Sequence, residues 1–224
     1  GDKIIVPGFT FIATSSAPKL LGAKIIPADI DPFTLNITAE SIEKIVKKNN
    51  VKAVIVVDVA GLPVDLDPII ELSKKYNFIL IEDAAEALGS EYKGKKLGSF
   101  NHTTIFSFHI AKLITTIEGG CIASKNKKII SKISKIRNHG SSNKKYVHDL
   151  IGSNFRTTDL QSALGLVQLK KIDQYIEKRN TIAMYYKKNI TSLEFQKIPS
   201  YVTRHSYMLF FAKAKTLKKK NKIL

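Results

Sequence analysis

The chain has 224 residues, of which 44% are hydrophobic and 25% are charged, and its formal net charge is +17. This length and apolar content suffice for the core of one domain, or of one domain and part of another. The single cysteine excludes an internal disulfide framework and favours a reducing cytoplasm, and the absence of a long apolar run excludes a predicted membrane-spanning helix.

The excess of basic residues suggests a nucleic-acid or membrane partner, but its make-up favours another interpretation. Only four of the 36 basic residues are arginine, whereas base readout and bidentate phosphate binding favour arginine. The lysines follow the polar side of isoleucine repeats, as in residues 41–48 and 127–135. We therefore predict solvated helix faces, with neither nucleic acid nor membrane as a partner.

Short apolar runs alternate with amphipathic stretches along the chain. In chain order we predict strand 3–6, helix 11–21, strand 24–28, helix 39–49, strand 51–58, helix 66–76, strands 78–83, 103–108 and 120–124, and helices 126–137, 158–171 and 172–190. The runs 51–58 and 78–83 are almost continuously apolar, which is typical of central parallel strands covered on both faces. With helix 66–76 between them they predict a right-handed βαβ unit, so the fold class is α/β with a mainly parallel sheet.

The later part of the chain changes character. A polar loop over residues 139–157 precedes the last two helices, and the chain beyond about residue 195 returns to loop and strand. We predict a large domain over residues 1–165, and linking helices with the beginning of a smaller domain over residues 166–224. The chain begins with Gly1 almost inside a strand and ends soon after an apolar stretch, so we expect a fragment of a longer polypeptide.

The most informative stretch covers residues 106–120, in which Lys112 lies between an apolar strand and a glycine pair. Upstream, Asp83 ends another apolar strand and is followed by the small residues Ala84 and Ala85. Pyridoxal 5′-phosphate (PLP) chemistry requires an amine that holds an aldehyde and a carboxylate that keeps a pyridine nitrogen protonated. Lys112 and Asp83 together therefore predict a PLP site.

The surroundings of Lys112 support this prediction. An apolar, water-poor environment favours the neutral amine that attacks a carbonyl, although a lone lysine among apolar residues is more often a surface residue. The flanking apolar residues are Phe106, Phe108, Ile110, Leu113 and Ile114.

Several polar residues near these strand ends have two interpretations each. Ser107 can donate a hydrogen bond to a phosphate oxygen or can form a strand-end hydrogen bond. His109 is a candidate base, with a hydrogen-bonded structural histidine as the alternative. Asp58 and Asp83 each end a buried strand, where a carboxylate usually faces the ligand crevice or else caps a turn or helix.

Candidates also occur nearer to the ends of the chain. Phe11 opens the first helix and can stack on a planar cofactor, although an aromatic residue at a helix start is more often part of the core. Asn154 and Arg156 lie in a polar loop and can bind an anion or face water. Thr157 or Thr158 is the predicted N-cap of the next helix. No segment has metal-ligand spacing, so no metal site is predicted.

With these residues assembled, the chain resembles the DegT-type (DegT/DnrJ/StrS) sugar aminotransferases, fold-type I PLP enzymes that act on nucleotide-linked keto-sugars. The resemblance extends from Gly1 to about Tyr207. The segments that carry it are Gly1-Asp2, Val6-Pro7, Phe9-Thr10-Phe11, Ala13-Thr14, Asp29-Ile30-Asp31-Pro32, Thr34-Leu35-Asn36, Gly61-Leu62-Pro63, Asp65, Glu82-Asp83-Ala84-Ala85-Glu86-Ala87-Leu88-Gly89, Phe106-Ser107-Phe108-His109, Lys112, Arg137-Asn138-His139-Gly140, Gly152-Ser153-Asn154-Phe155-Arg156, Gln161-Ser162-Ala163-Leu164-Gly165 and Gln168-Leu169.

The resemblance implies a three-layer PLP-transferase large domain with a mainly parallel sheet, followed by the start of a small C-terminal α+β domain. It implies that Lys112 holds PLP as the internal aldimine and that Asp83 pairs with the pyridinium nitrogen. Phe11 would stack on the ring, Glu86 would lie near the ring hydroxyl, and Ser107 would bind the phosphate.

The resemblance also implies the partners. Asn154 would reach the phosphate of a neighbouring subunit's cofactor, which makes the expected protein a homodimer with shared active sites. The substrates would be a nucleotide-linked keto-sugar and an amino-acid donor, glutamate by family likeness. The candidate substrate contacts are His109, Arg156 and His205.

Two departures and two alternatives accompany this resemblance. The family's phosphate-cradling segment would lie upstream of Gly1, and most of the C-terminal domain would follow the end of the chain, so this chain alone is expected to bind PLP weakly or to be inactive. Relatives with histidine in place of the lysine are dehydratases, and Lys112 argues against that branch.

The alternatives are another fold-type I reaction, such as dehydration or elimination, and a non-catalytic module that retains the fold and contacts nucleic acid through its basic surface.

Overall fold

The computed structural model describes residues 1–142, 146–216 and 220–221. The strands of this part are β1 Lys3–Pro7, β2 Lys24–Ala28, β3 Ala53–Val57, β4 Ile79–Asp83, β5 Glu91–Tyr92, β6 Lys95–Lys96, β7 Thr103–Ser107, β8 Gly120–Ala123, β9 Glu194–Phe195, β10 Val202–Arg204 and β11 Ala212–Lys213. The α-helices are α1 Ala13–Leu20, α2 Ala39–Val46, α3 Leu66–Tyr76, α4 Lys127–Ile136, α5 Asp159–Leu169 and α6 Ile172–Asn189.

Six strands form the central sheet in the order β2-β1-β3-β4-β7-β8. All neighbours in it are parallel except β7 and β8, which pair antiparallel. The strands β3 and β4 are parallel neighbours joined by α3, as the sequence predicts. The α/β class with a mainly parallel sheet is confirmed, because each long apolar run of the sequence has become a strand of this sheet.

The register of β3 and β4 decides which side chains share a face. Val57 is paired with Asp83 and Val56 with Glu82, so Glu82 and Asp83 point to opposite faces of the sheet. On the Glu82 face the strands pack against α2 and α3, whose buried residues belong to the same core as those of β3 and β4. On the Asp83 face, α1 contacts the Asp83 carboxylate through Thr14. Helices therefore cover both faces, as in the predicted layered architecture.

The long predicted elements are confirmed with small shifts at their ends. The largest shift is at α2, which ends at Val46 rather than at residue 49. Thr158 is the N-cap of α5, and its hydroxyl accepts a hydrogen bond from the Gln161 backbone N–H at 3.3 Å. The short strands β5, β6 and β9 were not predicted, because two-residue strands have no readable periodicity.

The strand β10 shows how the later part of the chain meets the earlier part. It pairs antiparallel with β5 and so joins residues 202–204 to the β5–β6 hairpin, whose turn contains Lys93 and Gly94 with positive φ. The division into domains 1–165 and 166–224 stays a prediction, and residues 143–145, 217–219 and 222–224 of the predicted loop and second domain lie outside the described residues.

The lysines of the predicted helix 126–137 lie on a helix surface, as the sequence predicts. On α4, Lys127, Lys128 and Lys132 are exposed while Ile133 and Ile136 are partly covered. No helix in the described ranges is both long and apolar enough to cross a membrane. Among the same residues, no group of three or more histidine, cysteine or acidic side chains is placed to hold a metal ion.

Candidate active site

The candidate site lies at the carboxyl edge of the sheet, where the parallel strands all end. Within the sheet, β2 lies on one side of β1 and β3 lies on its other side. The order of the strands along the chain therefore reverses its direction across the sheet between β1 and β3. Ligands in open α/β sheets bind beyond the strand ends at such a point. The acidic turn 83–89 and the lysine loop, which we define as residues 108–119, follow the adjacent strands β4 and β7 at this edge.

Asp83 is fixed by two hydrogen bonds to its carboxylate. The Thr14 hydroxyl donates to Oδ2 at 2.9 Å, and the Ala85 backbone N–H donates to Oδ1 at 3.2 Å. Thr14 is itself buried, and its hydroxyl lies 2.8 Å from that of Thr10. A carboxylate has about four acceptor positions, so Asp83 is oriented and can still accept a further hydrogen bond.

The lysine loop is closed at its base by backbone hydrogen bonds. The Phe108 N–H donates to the Gly119 carbonyl and the Thr116 N–H to the Phe108 carbonyl, both at 2.9 Å. Beside Lys112, Leu113 and Ile114 are buried against α6. Ile110, in contrast, is 65% exposed, so the expected apolar surroundings of Lys112 are present on one side only.

Glu86 connects the acidic turn to Lys112. Its Oε1 lies 3.7 Å from Lys112 Nζ, and its Oε2 accepts a hydrogen bond from the Ala60 backbone N–H at 2.8 Å. Ala60 has a φ of 63°, a left-handed conformation that is uncommon for a residue with a side chain. The turn after β3, the turn after β4 and the loop after β7 therefore meet at Glu86, one turn beyond Asp83.

Two further predicted cofactor contacts lie at the same edge. Ser107 is the last residue of β7, and its Oγ accepts a hydrogen bond from the His109 N–H at 3.3 Å. Phe11 precedes α1, and its ring is 74% exposed, so the interpretation of Phe11 as a core residue is wrong. Its carbonyl accepts a hydrogen bond from the N–H of Thr14, the residue that orients Asp83.

The remaining predicted site residues are dispersed. His109 is exposed, and its Nε2 lies 3.7 Å from Glu118 Oε1. Asn154 is exposed and forms an isolated bridge with Asn138, to which the Arg156 guanidinium also donates a hydrogen bond. None of the interactions found in the described ranges joins Asn154 or Arg156 to Lys112, so their predicted roles stay predictions.

His205 is an internal residue. Its ring is 4% exposed, stacks on the Tyr207 ring with centroids 3.8 Å apart, and accepts a hydrogen bond from the Tyr207 N–H at 3.0 Å. Burial, with a smaller contribution from the charge of Lys187, lowers the pKa of His205 to about 3. The ring is therefore neutral at physiological pH, and its predicted contact with substrate stays a prediction.

The prediction that Asp58 faces the crevice is wrong, whereas the alternative, that it caps a turn, is confirmed. It is fully buried, and its Oδ1 accepts a hydrogen bond from the Val64 N–H at 2.9 Å. Burial and then the charge of Glu82 raise the pKa of Asp58 well above its ordinary value. Glu82 is buried too, with its Oε2 2.7 Å from the Thr104 hydroxyl and 3.1 Å from His102 Nε2. This acidic pair lies on the Glu82 face of the sheet, away from Asp83.

The buried carboxyl of Asp58 predicts a pH-dependent gain from Asp58→Asn. Because the pKa of Asp58 is raised in the folded protein, the unfolded chain ionises first as the pH rises above about 4, and stability is lost from there upward. The asparagine variant has no such loss. We therefore expect its free energy of unfolding to exceed that of wild type by roughly 1 kcal/mol at pH 8 and to equal it at pH 4. Urea unfolding at both pH values measures it, with the exposed Asp2→Asn as control; an equal difference at both pH values would contradict the prediction.

Sequence reasoning missed two contacts of this site. Thr14 was noted only as part of a matching segment, although its hydroxyl orients Asp83. Ala60 carried no signal, because a backbone N–H is present at nearly every residue and only the turn aims this one at Glu86.

The chain is similar to several known proteins. A family model described as the DegT/DnrJ/EryC1/StrS aminotransferase family matches residues 1–224. The chain is 46% identical over 202 residues to the UDP-4-amino-4,6-dideoxy-N-acetyl-beta-L-altrosamine transaminase of Campylobacter jejuni, which covers 88% of this chain and 52% of that protein. It is 38% identical over 224 residues to GDP-perosamine synthase of Escherichia coli O157:H7, which covers 100% of this chain and 61% of that protein.

A solved structure gives the same result for the fold. The Helicobacter pylori aminotransferase PseC, involved in the biosynthesis of pseudoaminic acid, matches with a TM-score of 0.91 at 32% identity. The match covers 100% of this chain and 62% of that chain. The chain thus spans 52% and 61% of the two curated relatives and a similar share of this solved one.

Proposed function

Because the chain belongs to the DegT/DnrJ/EryC1/StrS aminotransferase family, we propose that its whole protein is a PLP-dependent aminotransferase that transfers an amino group to a nucleotide-linked keto-sugar. The observation that supports this most is the position of Lys112, whose amine lies beside the Glu86 carboxylate at the carboxyl edge of the sheet. Asp83 ends the neighbouring strand three residues before Glu86 in the same acidic turn.

The residues present fit PLP by their donor and acceptor chemistry. Lys112 Nζ forms an ion pair with Glu86 Oε1 at 3.7 Å, which is longer than a direct hydrogen bond. The Asp83 carboxylate is fixed and keeps acceptor capacity for a ring N–H. Ser107 offers a hydroxyl for a phosphate oxygen, and the exposed Phe11 ring offers a face for a planar ring.

These assignments give each side chain a task. PLP, when bound, supplies an electrophilic carbonyl and an electron-accepting ring. Lys112 would bind the carbonyl carbon covalently and, as a free amine, would accept the proton from Cα of the amino donor and deliver a proton to the aminated sugar carbon. Asp83 would keep the ring nitrogen protonated by accepting its hydrogen bond. Glu86, held by the Ala60 N–H, would lie at the ring hydroxyl.

The substrates are proposed from the relatives. Two of them are named as a UDP-linked amino-sugar transaminase and a GDP-perosamine synthase, so a nucleotide-linked keto-sugar is the acceptor class that we propose. Glutamate is the proposed donor. Mixing the PLP-loaded whole protein with glutamate should consume the visible absorbance of Lys112-bound cofactor and release one equivalent of 2-oxoglutarate.

Two further assays, of sugar dehydration and of DNA binding, separate the alternatives. A protein that releases no oxo acid from any amino acid, yet removes water from a nucleotide-linked sugar, would be a dehydratase and would overturn the proposal. A protein that binds no PLP but binds DNA in a steeply salt-dependent way would favour the non-catalytic module.

We also propose that the protein is a homodimer with shared active sites, in which Asn154 of a second copy reaches the cofactor phosphate. Large apolar side chains are exposed on and after α1, in the lysine loop and over residues 151–160, which is uncommon for surfaces that meet only water. They include Phe11, Leu21, Ile110, Ile151, Phe155 and Leu160. Sedimentation velocity of the whole protein tests this, and a monomer at micromolar concentration would contradict it.

A cytoplasmic location is our proposal on compositional grounds. The chain has one cysteine, Cys121, which is unpaired and exposed, and an unpaired thiol suits a reducing compartment. Cell fractionation with detection of this protein checks the proposal.

A further inference from the structure

The middle of the lysine loop is attached to α5 through a side chain. The Thr115 backbone N–H donates to Gln168 Oε1 at 3.1 Å, and Gln168 Nε2 donates to the Thr115 carbonyl at 2.9 Å. One side-chain amide therefore satisfies both backbone groups of a residue three positions after Lys112, much as a neighbouring strand would.

A second glutamine on α5 attaches the end of the same loop. Gln161 Nε2 donates to the Glu118 carbonyl at 3.0 Å. Its Oε1 accepts a hydrogen bond from the Thr158 N–H at 2.9 Å, so the capping box of α5 fixes this amide. Gln161 and Gln168 are two helical turns apart and lie on the same face of α5.

Gly165 lies between the two glutamines on that face. A Cβ atom at Gly165 would be 2.8 Å from Thr116 Cγ2, closer than Cβ contacts normally come, so the glycine lets the loop approach the helix. Thr116 is buried, and its hydroxyl donates to the Glu118 carbonyl at 2.8 Å. The three positions together form a docking face for the loop.

Gln168 also lies beside an open pocket. Gln168 and Leu113 both border a cavity of about 640 Å³ that α6 lines with Tyr175 and Arg179. The two amide hydrogen bonds join Thr115 to α5, while its hydroxyl bonds within the loop, donating to the Phe108 carbonyl at 3.0 Å and accepting from the Ile117 N–H at 2.8 Å. Lys112 precedes Thr115 by only three residues, so the position of Thr115 restricts where the Lys112 amine can lie.

From these contacts we infer that Gln168 is a positioning residue for the reaction. It fixes the lysine loop on α5, with Gln161 and Gly165, and so sets the Lys112 amine relative to Asp83 and Glu86. This inference rests on the proposed function for the role of Lys112, but the attachment of the loop does not. Because misplacing a reacting group by about 1 Å can cost roughly 100-fold in rate, the effect should be measurable in the chemistry.

The test compares Gln168→Leu, which keeps the bulk but removes both hydrogen bonds, with the control Asn49→Leu. Asn49 is also an amide bonded at both of its polar atoms, but to Lys3 and Ile45 at the opposite end of the sheet. Without PLP, amide hydrogen exchange of residues 108–119 should be about tenfold faster in Gln168→Leu and unchanged in Asn49→Leu.

When PLP is added, it should attach to Lys112 roughly tenfold more slowly in Gln168→Leu than in wild type. The rise of the visible absorbance measures the rate of attachment. The turnover number kcat should fall about 10- to 100-fold with little change in KM. Gln168→Glu keeps the acceptor for the Thr115 N–H and loses the donor, so it should lie between wild type and Gln168→Leu in both measurements, and it replaces Gln168→Leu if that variant does not fold.

Unchanged amide exchange of residues 108–119 in Gln168→Leu and Gln168→Glu would overturn the inference, whether or not wild type attaches PLP. Faster exchange with normal attachment and normal kcat would also overturn it, because the loop would then be attached without positioning the amine. If wild type does not attach PLP at Lys112, the proposed function fails, and the inference fails with it as a statement about catalysis.

Discussion

Replacing Lys112 by alanine should abolish transamination in the whole protein, with a loss of at least about 10⁴-fold in kcat. The reason is that Lys112 is proposed both to bind the cofactor covalently and to move the proton, and alanine does neither. The visible absorbance of Lys112-bound PLP should disappear as well. Absorbance spectra of the PLP-loaded protein and single-turnover assays with glutamate measure both losses.

Two further variants separate this role from the charge of Lys112. Lys112→Arg keeps a cation near the Glu86 carboxylate, which lies 3.7 Å from Nζ, but its guanidinium does not attack a carbonyl. It should therefore be as inactive as Lys112→Ala. The exposed Lys125→Ala should behave as wild type. Retained turnover in Lys112→Ala or Lys112→Arg would refute the assignment of Lys112.

Replacing Asp83 by asparagine should lower kcat by roughly 10²- to 10⁴-fold while PLP still binds. Asparagine can still accept one hydrogen bond from Thr14 or Ala85, so the turn should stay folded. It has no negative charge to keep a proton on the ring nitrogen, and an unprotonated ring accepts electrons poorly. Cofactor absorbance, thermal unfolding and kcat, measured on one preparation, distinguish loss of chemistry from loss of structure.

The matched control is Asp67→Asn. Asp67 is exposed on α3, where it forms an ion pair with Lys93 at 2.6 Å, and surface pairs of this kind contribute little to stability. It should leave kcat unchanged. Near-normal rates in Asp83→Asn would remove Asp83 from the proposed mechanism, whereas parallel losses of kcat and unfolding temperature would show that its role is structural.

The large elements were predictable because each had its own periodicity. Strands β3 and β4 are apolar runs of the length of a strand, and α2 repeats isoleucine and lysine at helical spacing. The two-residue strands were not predictable. The β5–β6 hairpin pairs with β10, about 110 residues further along the chain, and such a contact leaves no local pattern.

For the site, the sequence placed Asp58, Asp83 and Ser107 at strand ends correctly, but it left open whether Asp58 faces the crevice or caps a turn. Both Asp58 and Asp83 follow apolar runs, so composition treats them alike. The register that pairs Val57 with Asp83 turns Asp58 to the opposite face, where it is buried beside Glu82. Side chains alternate between the faces of a strand, so a difference of one residue in register decides whether a carboxylate meets ligand or core.

The sequence by itself determined the α/β class, the order of the strands along the chain, and the presence of a lysine and an aspartate where two parallel strands end. These follow from local properties, since hydrophobic periodicity and glycine positions act over a few residues. The tertiary structure alone decided that Ala60 donates to Glu86, that Gln168 bonds Thr115 across 53 residues, and that His205 is buried against Tyr207. Each of these is a contact between distant segments, and only the packing of the sheet and helices brings such segments together.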